Sequence, residues 1–123
     1  MKVIGHRGAA GLALENTLEA IQAGIAAGVD GIEFDVHLTS DSHFVLCHDP
    51  TLKRVSSHDT AIEKTTLKDL RALRLSNGER IPTLQEALEA CGKVPVVVEG
   101  RVEDPEREGA QVVQLVVRLQ GRD

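Results

Sequence analysis

Aromatic residues are almost absent from this sequence of 123 residues, which has two phenylalanines, Phe34 and Phe44, and no tryptophan or tyrosine. Proteins that bind single-stranded nucleic acids stack the bases on aromatic side chains, so a platform of that kind is not expected here. The formal net charge of -5 at pH 7 also argues against nucleic acid or an anionic membrane surface as a partner.

Long apolar runs and cysteine frameworks are missing as well. No run approaches the roughly 18 apolar residues of a membrane-spanning helix, and the first residues lead into a strand-like stretch without a secretory signal pattern. Two cysteines, Cys47 and Cys91, are too few for a disulfide or zinc framework and are expected to be reduced thiols. These features predict a cytoplasmic protein with no transmembrane segment.

The composition is nevertheless that of a folded chain, with 41% hydrophobic and 27% charged residues. The length is that of one domain, which we take as residues 1–123. Strand-like and helix-like segments alternate along the chain, which predicts an α/β fold with parallel strands.

The first segments are a predicted strand, turn and helix. Lys2–Gly5 is the expected strand, and residues 8–11 form a glycine-rich turn. Asn16 is the expected N-cap of the helix, Glu19 completes a capping box, and Gly28 is the expected C-cap. The apolar stripe of this helix consists of Leu18, Ile21 and Ile25.

Residues 31–38 alternate between two kinds of side chain, which is typical of a strand with two different faces. The apolar face carries Ile32, Phe34, Val36 and Leu38. The opposite face carries Gly31, Glu33, Asp35 and His37. Residues 39–42 are expected to turn, and Phe44–His48 to return as the second strand of a hairpin.

The remainder is predicted to hold three helices and one strand. Thr66–Leu73 and Thr83–Cys91 are expected helices, each with a threonine N-cap and an acid three residues later. Val94–Glu99 is rich in β-branched residues and suits a buried parallel strand. Asp104 is the expected cap of a last helix that starts at Pro105. The apolar stripe of that helix would consist of Val112, Leu115, Val116 and Leu119.

Three carboxylates form the first candidate site. Glu33 and Asp35 are two residues apart on one strand, so their side chains point the same way, although a solvated strand face would explain that pair equally well. Glu99 ends a strand of valine and proline, where a carboxylate is costly unless it has a partner. If the two strands are parallel neighbours, the carboxylates converge, and Mg²⁺ or Ca²⁺ would relieve their repulsion.

The second candidate, His6-Arg7-Gly8, stands between the first strand and the first helix. Arg7 offers a bidentate fork for a phosphate, and a helix N-terminus favours anions. The alternative is that Arg7 pairs with Glu15, and the sequence alone leaves both interpretations open.

The third candidate is His48, which ends the returning strand and precedes Asp49. A partly buried structural histidine is the alternative interpretation, while His37, His43 and His58 are taken as surface or supporting groups. All three candidate sites lie at the C-terminal ends of predicted strands, where open α/β sheets and (β/α) barrels place their functional residues.

In combination, these residues resemble the glycerophosphodiester phosphodiesterase family. The resemblance covers about residues 3–101, and the motifs occur in the family's order. The matching motifs are His6-Arg7-Gly8, Glu15-Asn16-Thr17, Ile32-Glu33-Phe34-Asp35-Val36, Leu38-Thr39, His48-Asp49 with Leu52 and Arg54, Thr66-Leu67 with Leu70, Ile81-Pro82-Thr83-Leu84, and Glu99-Gly100-Arg101.

The resemblance implies a TIM (β/α) barrel and a metal-dependent hydrolase that cleaves glycerophosphodiesters to glycerol 3-phosphate and an alcohol. It also implies that a neighbouring glycerol hydroxyl attacks phosphorus and that water then opens the cyclic phosphate. The residue roles that it implies are a general acid/base pair of His6 and His48, phosphate binding by Arg7 and Arg101, support by Glu15 and Asn16, and Mg²⁺ or Ca²⁺ ligation by Glu33, Asp35 and Glu99.

Two local departures from the family pattern stand out. The family's Glu-x-Lys is here Glu99-x-Arg101, which keeps the charge but replaces a compact ammonium by a wider planar group. The hairpin turn, which usually ends in Asp-Gly, is here Asp41-Ser42, so the residue that most easily adopts a positive φ is missing.

Length is the largest departure, since a full barrel needs about 250 residues. The chain is therefore expected to form roughly the first three βα units, with a β-hairpin inserted after the second strand. It is a fragment of a longer protein, a half that pairs with itself or with a partner carrying the other half, or a non-catalytic half-domain that binds metal or phosphate. Related barrels that cleave phospholipids are less expected, because the sequence has neither a secretory signal nor an apolar aromatic lip.

Overall fold

The computed structural model describes residues 3–9, 11–103 and 110–117, the last stretch and residues 101–103 in their backbone alone. The strands are β1 (Ile4–Gly5), β2 (Gly31–Leu38), β3 (Phe44–Leu46), β4 (Val96–Glu103) and β5 (Ala110–Val117). The helices are α1 (Leu18–Ala26), α2 (Lys53–Ser56), α3 (Leu67–Arg71) and α4 (Leu84–Cys91), with 3₁₀ turns at His6–Gly8 and Ile62–Lys64. No helix in this part of the chain is long and apolar enough to span a lipid bilayer.

One sheet contains all five strands, in the order β1-β2-β4-β5, with β3 paired to β2. β1 and β4 run parallel to β2 on its two edges, which confirms the predicted α/β fold with parallel strands. β3 returns antiparallel, with Val36 opposite Leu46, and forms the predicted hairpin. Because β2 and β4 are parallel neighbours, their C-terminal ends lie at the same edge of the sheet.

Both faces of β2 are buried, and they have opposite character. On one face Phe34 and its apolar neighbours pack with Ile21 of α1 and Ala87 of α4 in the main core. The removal of these side chains from water is the principal driving force for docking the helices on the sheet. The other face presents Glu33 and Asp35, so the alternation seen in the sequence separates the core from the candidate site.

A second core lies beneath the connection from β3 to α4. Its buried members are Val45, Cys47, Leu52, Val55, Ile62, Leu70, Leu75 and Ile81. The segment after the hairpin is therefore a packed unit, and it fixes the loop that carries His48 and Asp49.

Threonine caps begin the two later helices, as predicted. At α4 the Thr83 hydroxyl accepts a hydrogen bond from the Glu86 amide at 3.2 Å, and the Glu86 carboxylate accepts one from the Thr83 amide at 3.0 Å. This is the predicted capping box. At α3 the Thr66 hydroxyl accepts from the Asp69 amide at 3.3 Å, although this helix ends at Arg71.

The cap of α1 differs from the prediction. Thr17 is the N-cap, and its hydroxyl accepts a hydrogen bond from the Ala20 amide at 3.1 Å. The prediction of Asn16 as the cap was wrong, because the Asn16 side chain is bonded to Asp35 on β2 instead.

The last described segment is a strand and not the predicted helix. β5 pairs antiparallel with β4 along its whole length, from Val96 opposite Val117 to Glu103 opposite Ala110. The helix prediction was wrong because its valines suit a strand equally well, and pairing satisfies backbone groups along the edge of β4. The stripe residues Val112, Leu115 and Val116 lie in this strand, and Asp104, Pro105 and Leu119 lie outside the described residues.

These elements include three parallel strands, which are joined through α1 and through the segment from β3 to α4. The inserted hairpin follows the second parallel strand, as expected. The third unit has its strand, β4, but β5 takes the place of the helix that was expected next. β1 begins at Ile4, and Lys2 of the predicted strand lies outside the described residues.

The hairpin turn yields a stability prediction. Ser42 has a φ of +65°, a left-handed conformation that glycine adopts without strain. We expect Ser42→Gly to raise the free energy of unfolding by roughly 0.5–1 kcal/mol, because relief of the strain exceeds the extra chain entropy lost. Urea unfolding followed by circular dichroism measures the change. Ser40→Gly in the same turn is the control, since φ is not positive at Ser40, and equal shifts in the two variants would contradict the explanation.

Candidate functional site

Three carboxylates meet at the C-terminal ends of β2 and β4. The parallel register places Asp35 directly opposite Glu99 and Glu33 opposite Val97. One carboxylate oxygen from each of Glu33, Asp35 and Glu99 lies within 4.8 Å of the others. The convergence expected from the sequence is therefore present in the structure.

Asp35 is 1% exposed and is held by Asn16. The Asn16 side-chain oxygen accepts a hydrogen bond from the Asp35 amide at 3.0 Å, and its nitrogen donates to Asp35 Oδ2 at 3.2 Å. Asn16 has a φ of +53°, a left-handed conformation that asparagine tolerates better than most residues. The supporting position expected for Asn16 is thus a direct contact with a carboxylate of the cluster.

Glu33 is 7% exposed, and only one of its carboxylate oxygens is satisfied. Oε2 accepts a hydrogen bond from the Arg7 amide at 3.1 Å and lies 3.2 Å from His6 Nε2. Oε1 is buried without a hydrogen-bond partner in the described part of the chain. Burial raises the pKa of the Glu33 carboxyl, and the neighbouring Asp35 and Glu99 charges raise it further.

The cluster fits a hard divalent cation. Its donors are all carboxylate oxygens, which Mg²⁺ and Ca²⁺ prefer and which suit Zn²⁺ less well. A buried polar atom without a partner calls for an explanation, and an ion bound at Glu33 Oε1 would supply one. Glu33, Asp35 and Glu99 are the residues that could hold it.

The turn after β1 is conformationally strained and brings two predicted site residues to Glu33. Arg7, Gly8 and Ala9 have successive φ values of +52°, +82° and +103°. Helix α1 passes so close that a Cβ at Gly24 would lie 2.9 Å from the Gly8 carbonyl oxygen. Such strain persists only where the surroundings over-determine it, and here it aims the Arg7 amide and the His6 ring at one carboxylate.

The Arg7 side chain bridges two carboxylates. Its Nη1 donates to Glu15 Oε2 at 3.0 Å, which is the alternative pairing that the sequence left open. Its Nε lies 3.8 Å from Asp35 Oδ2 and is buried without a hydrogen-bond partner among the described residues. Arg7 therefore keeps one unmet donor at the edge of the carboxylate cluster.

His48 and Asp49 follow β3 and belong to a charged network. His48 Nδ1 lies 2.9 Å from Asp49 Oδ1. Arg54 on α2 donates through Nε to Asp49 Oδ2 at 2.8 Å and through Nη2 to Glu15 Oε2 at 2.9 Å. The Arg54 hydrogen bonds, with His48 adding to them, lower the pKa of Asp49 to about 2. Arg54 is also the largest cause that lowers the pKa of Glu15.

Sequence reasoning gave no role to Arg54, and it took His37 for a surface or supporting group. Arg54 lies 39 residues from Glu15 in the sequence, so no local pattern predicts their contact. His37 Nε2 lies 2.9 Å from the His48 carbonyl oxygen and supports that loop. A signal for His37 was available, because it occupies the same face of β2 as Glu33 and Asp35.

His6 and Arg101 complete the predicted set. The His6 side chain is 72% exposed, so its ring is open to solvent beside the buried Glu33. Arg101 is described in its backbone, which pairs with His37 two residues beyond Glu99 on β4. The structure thus brings together as one cluster of neighbours His6, Arg7, Glu15, Asn16, Glu33, Asp35 and Glu99, and it joins His48 to them through Asp49 and Arg54.

Comparison with known proteins gives consistent results. The model of the glycerophosphoryl diester phosphodiesterase family matches residues 6–121. A glycerophosphodiester phosphodiesterase of Caldanaerobacter subterraneus is 39% identical in an alignment of 97 positions, which covers 73% of this chain and 40% of that protein. The human lysophospholipase D GDPD1 is 34% identical over 114 residues, covering 82% of this chain and 36% of that protein.

The fold of this chain is also similar to that of several solved structures. A phosphodiesterase of Oleispira antarctica, solved with the product sn-glycerol-3-phosphate, superimposes with a TM-score of 0.74 at 35% identity. A glycerophosphodiester phosphodiesterase of Thermotoga maritima gives a TM-score of 0.73 at 37% identity. Each superposition includes 81% of this chain and 44% of the solved structure. The chain thus spans about 40% of the length of the curated relatives that it matches. Its fold corresponds to part of a TIM barrel. The chain belongs to the glycerophosphoryl diester phosphodiesterase family.

Proposed function

We propose that this chain carries the N-terminal part of the active site of a divalent-cation-dependent hydrolase that cleaves glycerophosphodiesters to glycerol 3-phosphate and an alcohol. One observation carries the proposal. The carboxylates of Glu33, Asp35 and Glu99 converge within 4.8 Å, with one buried oxygen unpaired. Family membership and the relative solved with sn-glycerol-3-phosphate support the substrate class.

The carboxylate cluster supplies the cation site in this proposal. Glu33, Asp35 and Glu99 hold Mg²⁺ or Ca²⁺, and the bound ion offsets negative charge on the non-bridging oxygens of the phosphodiester. Arg7 lies against the same cluster with its unmet Nε donor and binds the phosphate. Arg101, two residues beyond Glu99 on β4, is the second phosphate-binding residue.

Two histidines perform the proton transfers. Cleavage requires that one group take the proton of the attacking glycerol hydroxyl and that another donate a proton to the leaving alkoxide. His6 and His48 are this pair, and their roles reverse when water opens the cyclic phosphate. The Glu33 carboxylate lies 3.2 Å from His6 Nε2. Asp49 accepts from His48 Nδ1 and thereby leaves Nε2 as the basic nitrogen.

A non-catalytic half-domain is the second candidate. The observation that favours it is the sheet of the described residues, which has three parallel strands where a closed barrel has eight. In that case the carboxylate cluster and Arg7 bind a cation or a phosphate, and turnover requires assembly with a second copy or with another chain that carries the remaining part of a barrel.

We also propose a cytoplasmic location. Cys47 and Cys91 are free and buried, and burial raises their thiol pKa values to about 12 and about 11. Buried, unreactive thiols of this kind suit a reducing compartment.

Metal binding is the first prediction of the proposed function. Isothermal titration calorimetry of the chain with MgCl₂ or CaCl₂ is expected to show one saturable site. Glu33→Gln keeps the side-chain shape but removes a charged ligand, and should weaken binding by roughly tenfold or more. Glu63→Gln on the exposed 3₁₀ turn is the control and should bind like the wild type. Equal affinities in all three proteins would contradict the assigned ligands.

Hydrolysis is the second prediction. With glycerophosphocholine at about pH 7.5, turnover should require Mg²⁺ or Ca²⁺ and stop in EDTA. His6→Ala should lower kcat by roughly a hundredfold or more through loss of a proton-transfer group. His58→Ala, at an exposed position after α2, is the matched control.

The outcomes separate the two candidates. Turnover that is lost in His6→Ala supports a working hydrolase. A folded chain that binds the cation yet shows no turnover supports the half-domain. Turnover that persists in EDTA and in His6→Ala refutes the proposed chemistry.

A further inference from the structure

We infer that Arg54 is a positioning residue that clamps the carboxylates of Asp49 and Glu15. Through Asp49 it fixes the tautomer of His48, and through Glu15 it fixes the position of the Arg7 side chain. The inference rests on the roles proposed above for His48 and Arg7. It concerns a residue that touches neither the cation site nor the proposed substrate groups directly.

The Arg54 guanidinium engages both carboxylates with its full fork. Nε donates to Asp49 Oδ2 at 2.8 Å, and Nη2 approaches Asp49 Oδ1 at 3.3 Å. On the other side Nη2 donates to Glu15 Oε2 at 2.9 Å, and Nη1 donates to Glu15 Oε1 over a shorter distance. A planar guanidinium suits two bidentate contacts, whereas an ammonium group does not.

Each clamped carboxylate holds one of the proposed functional residues. Asp49 Oδ1 lies 2.9 Å from His48 Nδ1, and Glu15 Oε2 accepts from Arg7 Nη1 at 3.0 Å. Arg7, Glu15, Arg54 and Asp49 therefore alternate in charge, and this series leads from the phosphate-binding side to His48 on the proton-transfer side.

The clamp links three separate segments of the chain. Glu15 follows the strained turn after β1, Asp49 follows β3, and Arg54 lies on α2. Without the guanidinium, two carboxylates would face each other, and their repulsion would move at least one of them away. The lowered pKa values of Asp49 and Glu15 are consistent with the Arg54 guanidinium holding both carboxylates in the ionised form.

The consequence for His48 is a defined tautomer. An ionised Asp49 can only accept, so the proton must reside on His48 Nδ1, and Nε2 carries the lone pair. His37 contacts the carbonyl oxygen of His48, and Arg54 holds Asp49. Neither of these contacts replaces Asp49 at Nδ1.

The test uses the full chain and does not depend on turnover. Long-range ¹H–¹⁵N spectra of the histidine rings distinguish the two neutral tautomers, and His48→Gln assigns the His48 signals. We expect the wild type to show the Nδ1–H form. Arg54→Met should lower the ratio of the Nδ1–H to the Nε2–H form at His48 by about tenfold, the loss expected for one charge-assisted hydrogen bond. Arg74→Met, which removes the same charge from an exposed loop after α3, should leave that ratio unchanged.

Arg54→Lys distinguishes the fork from its charge. A lysine reaches one carboxylate at a time. In Arg54→Lys the ratio of the Nδ1–H to the Nε2–H form of His48 should therefore lie closer to that of Arg54→Met than to that of the wild type. Full recovery would overturn the clamp, and so would a wild-type tautomer in Arg54→Met. If Arg54→Met does not fold, as judged by amide dispersion, the comparison of Arg54→Lys with the wild type decides the question alone.

Failure of this inference differs from failure of the proposed function. A tautomer shift in a chain without turnover supports the clamp and argues against hydrolysis. Turnover together with a tautomer ratio that ignores Arg54 supports hydrolysis and overturns the clamp.

Discussion

Burial of two like charges on one strand is the constraint on which the site depends. Glu33 and Asp35 are almost wholly removed from water, and a buried carboxylate is costly unless donors meet it. The donors come from unusual backbone: the Arg7 amide and the Asn16 side chain belong to residues with positive φ. The strain of both residues is thus offset by the charges that they satisfy, and one oxygen of Glu33 still remains for a cation.

The same strand organises the core. Because side chains alternate along β2, the residues between the carboxylates point to the opposite face and pack beneath α1 and α4. A shift of the strand register by one residue would exchange the two faces, placing charge in the core and apolar groups in the site. Packing of the hydrophobic face therefore also determines which residues of β2 face the site.

Apart from the convergence of Glu33, Asp35 and Glu99, most of what could be predicted from the sequence was local. The alternation of β2, the hairpin and the capping box at Thr83 depend on residues that are neighbours in the chain, and all three are present in the structure. Asn16 was misassigned because an asparagine serves equally well as a cap and as a partner for a distant strand. β5 was missed because its valines fit a helix stripe, and only the open edge of β4 favours the strand. Arg54 was recognised as a motif residue but was given no role, because its contact with Glu15 spans 39 residues of sequence.

The charges also order the events in the proposed function. Among the described side chains, the carboxylates of Glu33, Asp35, Glu99, Glu15 and Asp49 face the guanidiniums of Arg7 and Arg54. Negative charge is therefore in excess, and an anionic phosphodiester that approached the empty cluster would be repelled. A divalent cation would offset most of this excess, so in the proposed function cation binding precedes substrate binding. The charges of Asp49 and Glu15 are balanced in part by Arg54. The excess of negative charge therefore lies mainly at the cluster of Glu33, Asp35 and Glu99, where the cation is proposed to bind.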